Sequence, residues 1–158
     1  MTATDTIDLR SPQATRKLGQ KLGAALEAGD FVALYGDLGA GKTLFVRGVA
    51  EGAGVPETER TGSPTFALVN LYRGGRVLLQ HLDLYRLGGA ADLFALGFDD
   101  LLREPAATLV EWADRAGEAL PGDRLELHLS VIGAKARRLV VKAAGPRGER
   151  LRAILVGS

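Results

Sequence analysis

The stretch Gly36–Thr43 (Gly-Asp-Leu-Gly-Ala-Gly-Lys-Thr) constrains this chain more than any other, because it matches the pattern G-x-x-x-x-G-K-[S/T] at every defined position. Loops of this pattern wrap a phosphate chain with consecutive backbone N–H groups. Their glycines allow a close backbone approach and reach the positive φ values that a tight loop needs. We therefore expect a P-loop, which should follow a buried strand and open a helix.

Both flanks of the loop match that expectation. Phe31–Tyr35 is a short apolar run, rich in β-forming residues, directly upstream. Residues 43–54 then carry apolar side chains at helical spacing, and Gly54 is a typical helix stop. A glycine-rich turn that binds nothing would not require these flanks, so nucleotide binding is the favoured interpretation.

The loop residues have expected roles at the nucleotide. Lys42 supplies a positive charge to the β- and γ-phosphates, and Thr43 offers its hydroxyl to Mg²⁺. The dipole of the helix that begins here also favours anions. The loop residues predicted to contact the nucleotide are Asp37, Leu38, Gly39, Ala40, Gly41, Lys42 and Thr43. ATP is favoured over GTP, because no guanine signature of the N-K-x-D type is visible.

The chain of 158 residues suits one domain, which we expect to span residues 1–158. Hydrophobic residues make up 46% and charged residues 25%, which is ordinary for a globular protein. The absence of cysteine excludes disulfides and thiolate metal sites. Neither a signal peptide nor an apolar run of membrane-spanning length is visible, so we expect a cytoplasmic location and no membrane contact.

The apolar periodicity predicts an α/β fold, a single P-loop NTPase-like domain with a mixed parallel and antiparallel sheet flanked by helices. Ser11-Pro12 should begin the first helix, and Gly29 should end it. We expect residues 55–62 to form an exposed loop. Gly74-Gly75 should form a two-residue turn between antiparallel strands.

Two acids end strand-like runs at the carboxyl edge of the sheet, where ligands bind in folds of this class. Glu111 follows the apolar residues 108–110 and is typical of a Walker B-type acid that holds Mg²⁺ opposite Thr43. Asp83 ends another run and either competes for the metal or orients the attacking water. The predicted catalytic residues are Asp83, Glu111 and Lys42, and the predicted metal ligands are Thr43 and Glu111.

Several other residues have a functional and a structural interpretation. Thr65, within residues 63–66, either senses the γ-phosphate in a switch loop and so contacts the nucleotide, or belongs to a structural turn. Trp112 either belongs to the core or stacks on a base or a partner. Arg86 either reaches the phosphates or is structural. For His81 the structural interpretation is favoured.

The formal net charge of +1 predicts no global attraction to nucleic acid. Basic side chains are nevertheless concentrated in residues 135–152. This basic segment is either a solvated surface or a docking surface for RNA or an acidic partner.

Four motifs together resemble those of the bacterial TsaE (YjeE) family. In chain order they are Gly36–Thr43, Ser63–Phe66, His81–Arg86 and Val110–Trp112. Four linked motifs are far more specific than a P-loop alone. The resemblance implies a small ATPase that works with TsaB and TsaD to form threonylcarbamoyladenosine in tRNA. It also implies that Thr43 and Glu111 hold Mg²⁺ and that Asp83 is important for ATP turnover.

The sequence thus predicts an Mg²⁺-dependent ATPase that supports a TsaB–TsaD complex, with water as the acceptor of the γ-phosphoryl group. We expect this chain to act on tRNA indirectly. Any contribution of the chain to tRNA binding is expected to come from the basic residues 135–152. Two alternatives are left open. One is a small-molecule kinase, which would need a substrate pocket and a closing lid. The other is a nucleotide-dependent adaptor, in which ATP binding rather than hydrolysis matters.

Overall fold

The computed structural model describes residues 3–36, 40–60, 69–85, 90–95 and 97–157. The residues singled out above that lie outside these ranges are Asp37, Leu38, Gly39, Thr65 and Arg86. Their predicted roles stay predictions.

Strands and helices alternate along much of the described chain. The strands are β1 (Ala3–Leu9), β2 (Phe31–Tyr35), β3 (Val69–Tyr72), β4 (Leu78–Asp83), β5 (Ala106–Glu111), β6 (Arg124–Val131) and β7 (Arg137–Ala144). The helices are α1 (Pro12–Ala25), α2 (Lys42–Gly52), α3 (Glu57–Arg60), α4 (Ala90–Ala95), α5 (Phe98–Arg103) and α6 (Gly145–Val156), with a 3₁₀ helix at Ala113–Ala119. None of the described helices has the length and apolarity that crossing a membrane requires.

The strands form one seven-stranded sheet in the order β1-β7-β6-β2-β5-β4-β3. The central strands β6, β2, β5 and β4 run parallel to one another. Strand β7 pairs antiparallel with both β6 and β1, and β3 pairs antiparallel with β4. The predicted mixed sheet is therefore confirmed, and the central parallel strands share one carboxyl edge.

Apolar side chains cover both faces of this sheet. On one face, α1, α2 and α6 contribute Leu22, Phe45 and Leu151 to the larger core cluster, each with 0% exposure. On the other face, α4 and α5 contribute Leu93 and Phe98, which are equally buried. Each such side chain contributes about 1.5–3 kcal/mol to stability by leaving water. Helices on both faces leave the carboxyl edge of the sheet as the place where ligands can bind.

Glycines bring α1 and α2 into close contact. A Cβ added at Gly19 would lie 2.4 Å from the Phe45 carbonyl oxygen, and one added at Gly48 would lie 2.2 Å from the Arg16 carbonyl oxygen. Only glycine allows the two helix backbones to approach so closely. Because α2 begins at the end of the P-loop motif, this contact fixes the helix that carries the motif's last two residues.

Capping hydrogen bonds stabilise the start of α1 and the end of α2. The Ser11 Oγ accepts a hydrogen bond from the Ala14 N–H at 3.1 Å, and a proline occupies the first turn. At the end of α2, Gly54 has a φ of 81°, and the Val55 N–H donates to the Ala50 carbonyl at 3.0 Å. This is a Schellman arrangement. Both helix boundaries are therefore as predicted.

Two other local predictions are wrong. Helix α1 ends at Ala25, well before Gly29, because the chain becomes extended at Leu26 and buries that side chain completely. Gly29 instead has a φ of 95° in the turn that leads to β2. The expected loop at residues 55–62 contains a helical turn, α3.

The connection between β3 and β4 is also longer than predicted. The two strands are antiparallel as expected, but Tyr72 pairs with Leu79, which a two-residue turn cannot achieve. The Arg76 N–H donates to the Ala53 carbonyl at 2.7 Å, and Arg76 Nη2 donates to the Gly23 carbonyl at 2.9 Å. These bonds hold the connection against the ends of α1 and α2, so it does not turn tightly.

Candidate nucleotide-binding site

The ends of β2, β4 and β5 bring predicted site residues to one edge of the sheet. In the parallel register, Leu34 pairs with Glu111 on one side, and Asp83 pairs with Glu111 on the other. Helix α2 begins at Lys42, shortly after β2, so Lys42 and Thr43 lie at the same edge. The structure thus brings together the P-loop lysine, the P-loop threonine and both acids.

Two glycines shape the described ends of the loop. Gly36 has a φ of 146°, and a Cβ there would lie 2.7 Å from the Leu129 carbonyl oxygen. Gly41, the N-cap of α2, has a φ of 100°. Side chains would be strained at both positions. The start of α2 lies beside this loop, and the N-terminus of a helix can donate backbone N–H groups to an anion. Ala40 is almost fully buried, and its contact with a nucleotide stays a prediction.

Lys42 is held at the loop by two different groups. The residue is 4% exposed, and its Nζ donates a hydrogen bond to the Gly36 carbonyl oxygen. The same Nζ lies 3.7 Å from the centroid of the Trp112 ring, which is the geometry of a cation–π interaction. The ammonium group is therefore fixed between the P-loop and the residue that follows β5.

Trp112 has an unusual backbone conformation. Among the residues that the structure describes, it is the one non-glycine residue with a positive φ, at 57°. A left-handed conformation costs about 1–3 kcal/mol for a residue with a side chain. The bend directly after β5 brings the ring to Lys42 and against the Tyr85 ring, with centroids 4.9 Å apart. The ring lines the cleft beside Lys42. Its stacking on a base or a partner stays a prediction.

Glu111 is a buried carboxylate with a fixed partner. It is 6% exposed, and its Oε2 lies 2.5 Å from His81 Nε2. His81 Nδ1 in turn lies 2.8 Å from the Tyr72 hydroxyl. Because a buried carboxylate is costly unless its oxygens are hydrogen-bonded, the contact with His81 helps Glu111 to remain buried. Sequence reasoning missed Tyr72, since its place beside His81 depends on the register of β3 against β4.

Asp83 contrasts with Glu111, its neighbour across the strand pair. Asp83 is exposed, and its Oδ1 accepts a hydrogen bond from the Tyr85 backbone N–H at 3.0 Å. One acid is therefore buried and held by a side chain, whereas the other faces solvent. Two adjacent carboxylates in unlike environments are suited to different chemical roles.

Two clefts, of about 540 Å³ and about 370 Å³, adjoin these side chains. Both clefts are lined by Thr43, Arg47, Asp83 and Glu111. Sequence reasoning missed Arg47 and also Glu51, which lines the larger cleft. These two residues follow Thr43 at four-residue intervals on α2, so helical spacing from Thr43 could have identified them.

The donor atoms at this edge fit magnesium. The Thr43 hydroxyl and the carboxylates of Asp83 and Glu111 offer oxygen, which Mg²⁺ prefers. Within the described ranges, no group of three or more His, Cys, Asp or Glu residues could hold a metal by itself. Mg²⁺ is usually held by one or two carboxylates together with substrate phosphates and water.

Burial also affects the titration of Tyr72. Loss of solvent, and then the negative charge of Glu111, raise the pKa of the Tyr72 phenol, and a hydrogen bond from the Asn70 side chain opposes this shift. The hydroxyl of Tyr72 is therefore protonated at neutral pH and can donate a hydrogen bond.

The basic segment, residues 135–152, makes ion pairs within this chain. The pairs that reach other elements include Arg138–Asp8, Arg152–Asp5, Arg147–Asp30 and Arg150–Asp30. They tie β7 and α6 to β1 and to the residue before β2. Docking of RNA or of an acidic partner on this segment stays a prediction, and at the four arginines it would compete with these ion pairs.

Comparison with known proteins decides the family. The family described as "Threonylcarbamoyl adenosine biosynthesis protein TsaE" matches residues 9–139. The chain belongs to the TsaE family. The resemblance inferred from four motifs is therefore confirmed, and TsaE proteins are involved in the biosynthesis of threonylcarbamoyladenosine in tRNA.

Curated TsaE relatives match most of the chain. The Bacillus subtilis tRNA threonylcarbamoyladenosine biosynthesis protein TsaE is 37% identical over 141 residues, which cover 89% of this chain and 87% of that protein. The Treponema pallidum protein of the same name is 38% identical over 132 residues, covering 84% and 96%. The crystal structure of Bacillus subtilis YdiB matches with a TM-score of 0.82 and 32% identity, over 98% of this chain and 95% of that one. This likeness confirms the P-loop NTPase-like fold.

Proposed function

We propose that this TsaE-family protein is an Mg²⁺-dependent ATPase that supports a TsaB–TsaD complex in forming threonylcarbamoyladenosine in tRNA. The observation that carries the proposal is that Lys42, Thr43, Asp83 and Glu111 all line one cleft beside the P-loop. Phosphoryl transfer needs mainly positioning and charge stabilisation, and these side chains can supply both. A role in tRNA modification fits a cytoplasmic location, which is part of the proposal.

In this proposal, the P-loop and the start of α2 bind the phosphates of ATP. Lys42 exchanges its bond to the Gly36 carbonyl for charge-assisted bonds to phosphate oxygens, which are stronger. Residues 37–41 contribute loop contacts, chiefly through backbone N–H groups. Thr65 senses the γ-phosphate, and the Trp112 ring borders the bound nucleotide.

Thr43 and Glu111 are the proposed ligands of Mg²⁺, through a hydroxyl and a carboxylate oxygen. Held by these two side chains, the ion would supply positive charge that stabilises the negative charge on the phosphates. Asp83, which is exposed, orients the attacking water and accepts its proton. The water oxygen bonds to the γ-phosphorus as the bond to the bridging oxygen breaks, so the products are ADP and phosphate.

A partner is proposed to complete the site. Thr43 and Asp83 are exposed, so bulk water reaches the groups that would act on ATP. Covering this face with a TsaB–TsaD complex would exclude water and strengthen the electrostatic interactions. Partner binding should therefore raise ATP turnover, and ATP should strengthen association, because coupling between two binding events is reciprocal. Contact with tRNA would be indirect, through the complex.

ATP hydrolysis measured with and without TsaB–TsaD, alongside threonylcarbamoyladenosine formation in tRNA, tests this proposal. We expect slow turnover by the chain alone and faster turnover with the complex. Glu111→Gln should lose both hydrolysis and tRNA modification, whereas the exposed control Glu118→Gln should retain both. Modification that persists without hydrolysis would favour the adaptor, and transfer of phosphate to a small molecule would favour the kinase.

A further inference from the structure

A chain of hydrogen bonds runs from β3 to the carboxylate of Glu111. Asn70 of β3 is the strand partner of His81, and Tyr72 is two residues further along β3. The Tyr72 hydroxyl lies 2.8 Å from His81 Nδ1, and His81 Nε2 lies 2.5 Å from Glu111 Oε2. Tyr72, His81 and Glu111 are at most 9% exposed. Burying a polar group without a hydrogen bond costs free energy, so each of these side chains depends on the hydrogen bond to its neighbour.

The chemistry of the groups gives this chain one direction. A carboxylate only accepts hydrogen bonds, so His81 Nε2 must donate to Glu111. Because burial raises the pKa of Tyr72, its hydroxyl keeps its proton and can donate to His81 Nδ1. Both donors therefore meet an acceptor when His81 donates from Nε2 and accepts at Nδ1.

We propose that His81 and Tyr72 are positioning residues, which hold Glu111 in place by fixing the Nε2–H tautomer of His81. This inference rests on the proposed role of Glu111 at the nucleotide. His81 occupies one carboxylate oxygen, so the other is left for a ligand in the clefts that Glu111 lines.

The same bonds separate the roles of the two acids. Asp83 is exposed and accepts a bond from the Tyr85 backbone N–H. Among the residues that the structure describes, no buried side chain restricts its carboxylate in the way that His81 restricts Glu111. A direct metal ligand needs a partner that fixes its orientation, and Glu111 has one. The Asp83 carboxylate can therefore adjust its orientation to the attacking water. The hydrogen-bond chain thus assigns the fixed role to Glu111 and the adaptable role to Asp83.

A buried carboxylate also needs a partner merely for stability, so the test must separate stability from positioning. Removing His81 outright would leave Glu111 buried and unpaired, which destabilises a fold. Tyr72→Phe keeps the ring and removes only the hydroxyl. His81→Gln keeps an N–H donor for Glu111 and a carbonyl that can accept from Tyr72. His128→Gln is the matched control, because His128 also contacts a glutamate, Glu126, at 3.2 Å and lines neither cleft.

Nitrogen-15 NMR of the imidazole rings tests the tautomer on the full chain without any nucleotide. The chain contains two histidines, so His128 provides an internal reference. We expect His81 to carry its proton on Nε2 and not on Nδ1, and Tyr72→Phe to shift the Nδ1 resonance of His81, because that nitrogen loses its hydrogen-bond donor. A wild-type His81 protonated on Nδ1, or an Nδ1 resonance that Tyr72→Phe leaves unchanged, would overturn the proposal.

ATP turnover in the presence of TsaB–TsaD tests the consequence for Glu111, with thermal unfolding as a check on folding. Tyr72→Phe should lower kcat by about 10- to 100-fold, the range typical of residues that orient a ligand, with KM for ATP little changed. His81→Gln should retain more turnover than His81→Ala, and His128→Gln should match the wild type. A Tyr72→Phe variant with wild-type kcat would overturn the positioning role. A wild type without turnover would instead contradict the proposed function, and the tautomer result would still decide the hydrogen-bond chain.

Discussion

The ammonium nitrogen of Lys42 lies 3.7 Å from the centroid of the Trp112 ring. The chain contains one tryptophan, so tryptophan fluorescence reports on the surroundings of this one ring, which include Lys42 and Tyr85. Phosphate oxygens form charge-assisted hydrogen bonds with an ammonium group, and these are stronger than its attraction to an aromatic face. A bound nucleotide should therefore draw Lys42 from the ring and change the ring's surroundings.

We predict a saturable change in tryptophan fluorescence when ATP is added to the wild type. Lys42→Ala should weaken ATP binding about tenfold or more, because a hydrogen bond to a charged group contributes about 1.5–3 kcal/mol. Lys21→Ala is the matched control, since Lys21 Nζ bonds to the Gly157 carbonyl at 2.8 Å and lies in neither cleft. An ATP titration of Lys42→Ala that coincides with the wild type would remove Lys42 from the site.

The close contact of α1 and α2 predicts a stability loss at Gly48. An added Cβ would lie 2.2 Å from the Arg16 carbonyl oxygen, so Gly48→Ala must push the two helices apart. Such overpacking costs about 1–3 kcal/mol, which urea unfolding can measure. At Gly122 an added Cβ meets nothing within 4 Å, so Gly122→Ala should unfold like the wild type. Equal stability of the two variants would show that the helices can separate at no cost.

Asp30 should be a stabilising residue despite its charge. Its side chain is 0% exposed and pairs with Arg147 and Arg150 of α6. Asp30→Asn should lower the free energy of unfolding by about 1–3 kcal/mol, because it weakens both pairs. Asp100 pairs with Arg103 on the surface, at 85% and 79% exposure, so Asp100→Asn should change stability by less than about 0.5 kcal/mol. Similar losses in both variants would argue against a special role for burial at Asp30.

The raised pKa of Tyr72 predicts a loss of stability at alkaline pH. The unfolded phenol has a pKa of about 10, and burial raises the folded value above it. The contribution is fully present below the unfolded pKa and is lost as pH rises through the folded pKa, because the unfolded chain releases the proton first. Tyr72→Phe should flatten this decline when unfolding is measured from about pH 8 to pH 11. Tyr35, whose pKa burial also raises, should keep part of the decline. An unchanged alkaline slope in Tyr72→Phe would contradict this assignment.

The P-loop side of the site could be predicted because it depends on a short stretch of chain. The apolar run Phe31–Tyr35, the loop Gly36–Thr43 and the helical spacing that follows are local signals, and the structure has the strand and the helix where they predict them. The place of Glu111 could also be predicted, since parallel strands in folds of this class share a carboxyl edge.

The partners of Glu111 could not be predicted, because they depend on strand register. The dipeptide Gly74-Gly75 suggested a tight turn, but Tyr72 pairs with Leu79 across a longer connection. That register determines which side chains of β3 lie beside His81, and contacts with α1 and α2 help to hold it. No local pattern encodes such contacts, so the hydrogen-bond chain to Glu111 emerges only in three dimensions.

ATP hydrolysis by the wild type and by Glu111→Gln, at saturating ATP and Mg²⁺ with TsaB–TsaD present, tests the central claim most directly. Glutamine keeps the shape of Glu111 but removes its charge. We predict that Glu111→Gln binds ATP about as tightly as the wild type. Its rate of hydrolysis should fall by about 100-fold or more, as for the loss of one stabilising group in an active site. Glu111→Gln hydrolysing ATP at the wild-type rate would contradict the role of Glu111, and a wild type that hydrolyses no ATP beside its partners would contradict the proposed ATPase.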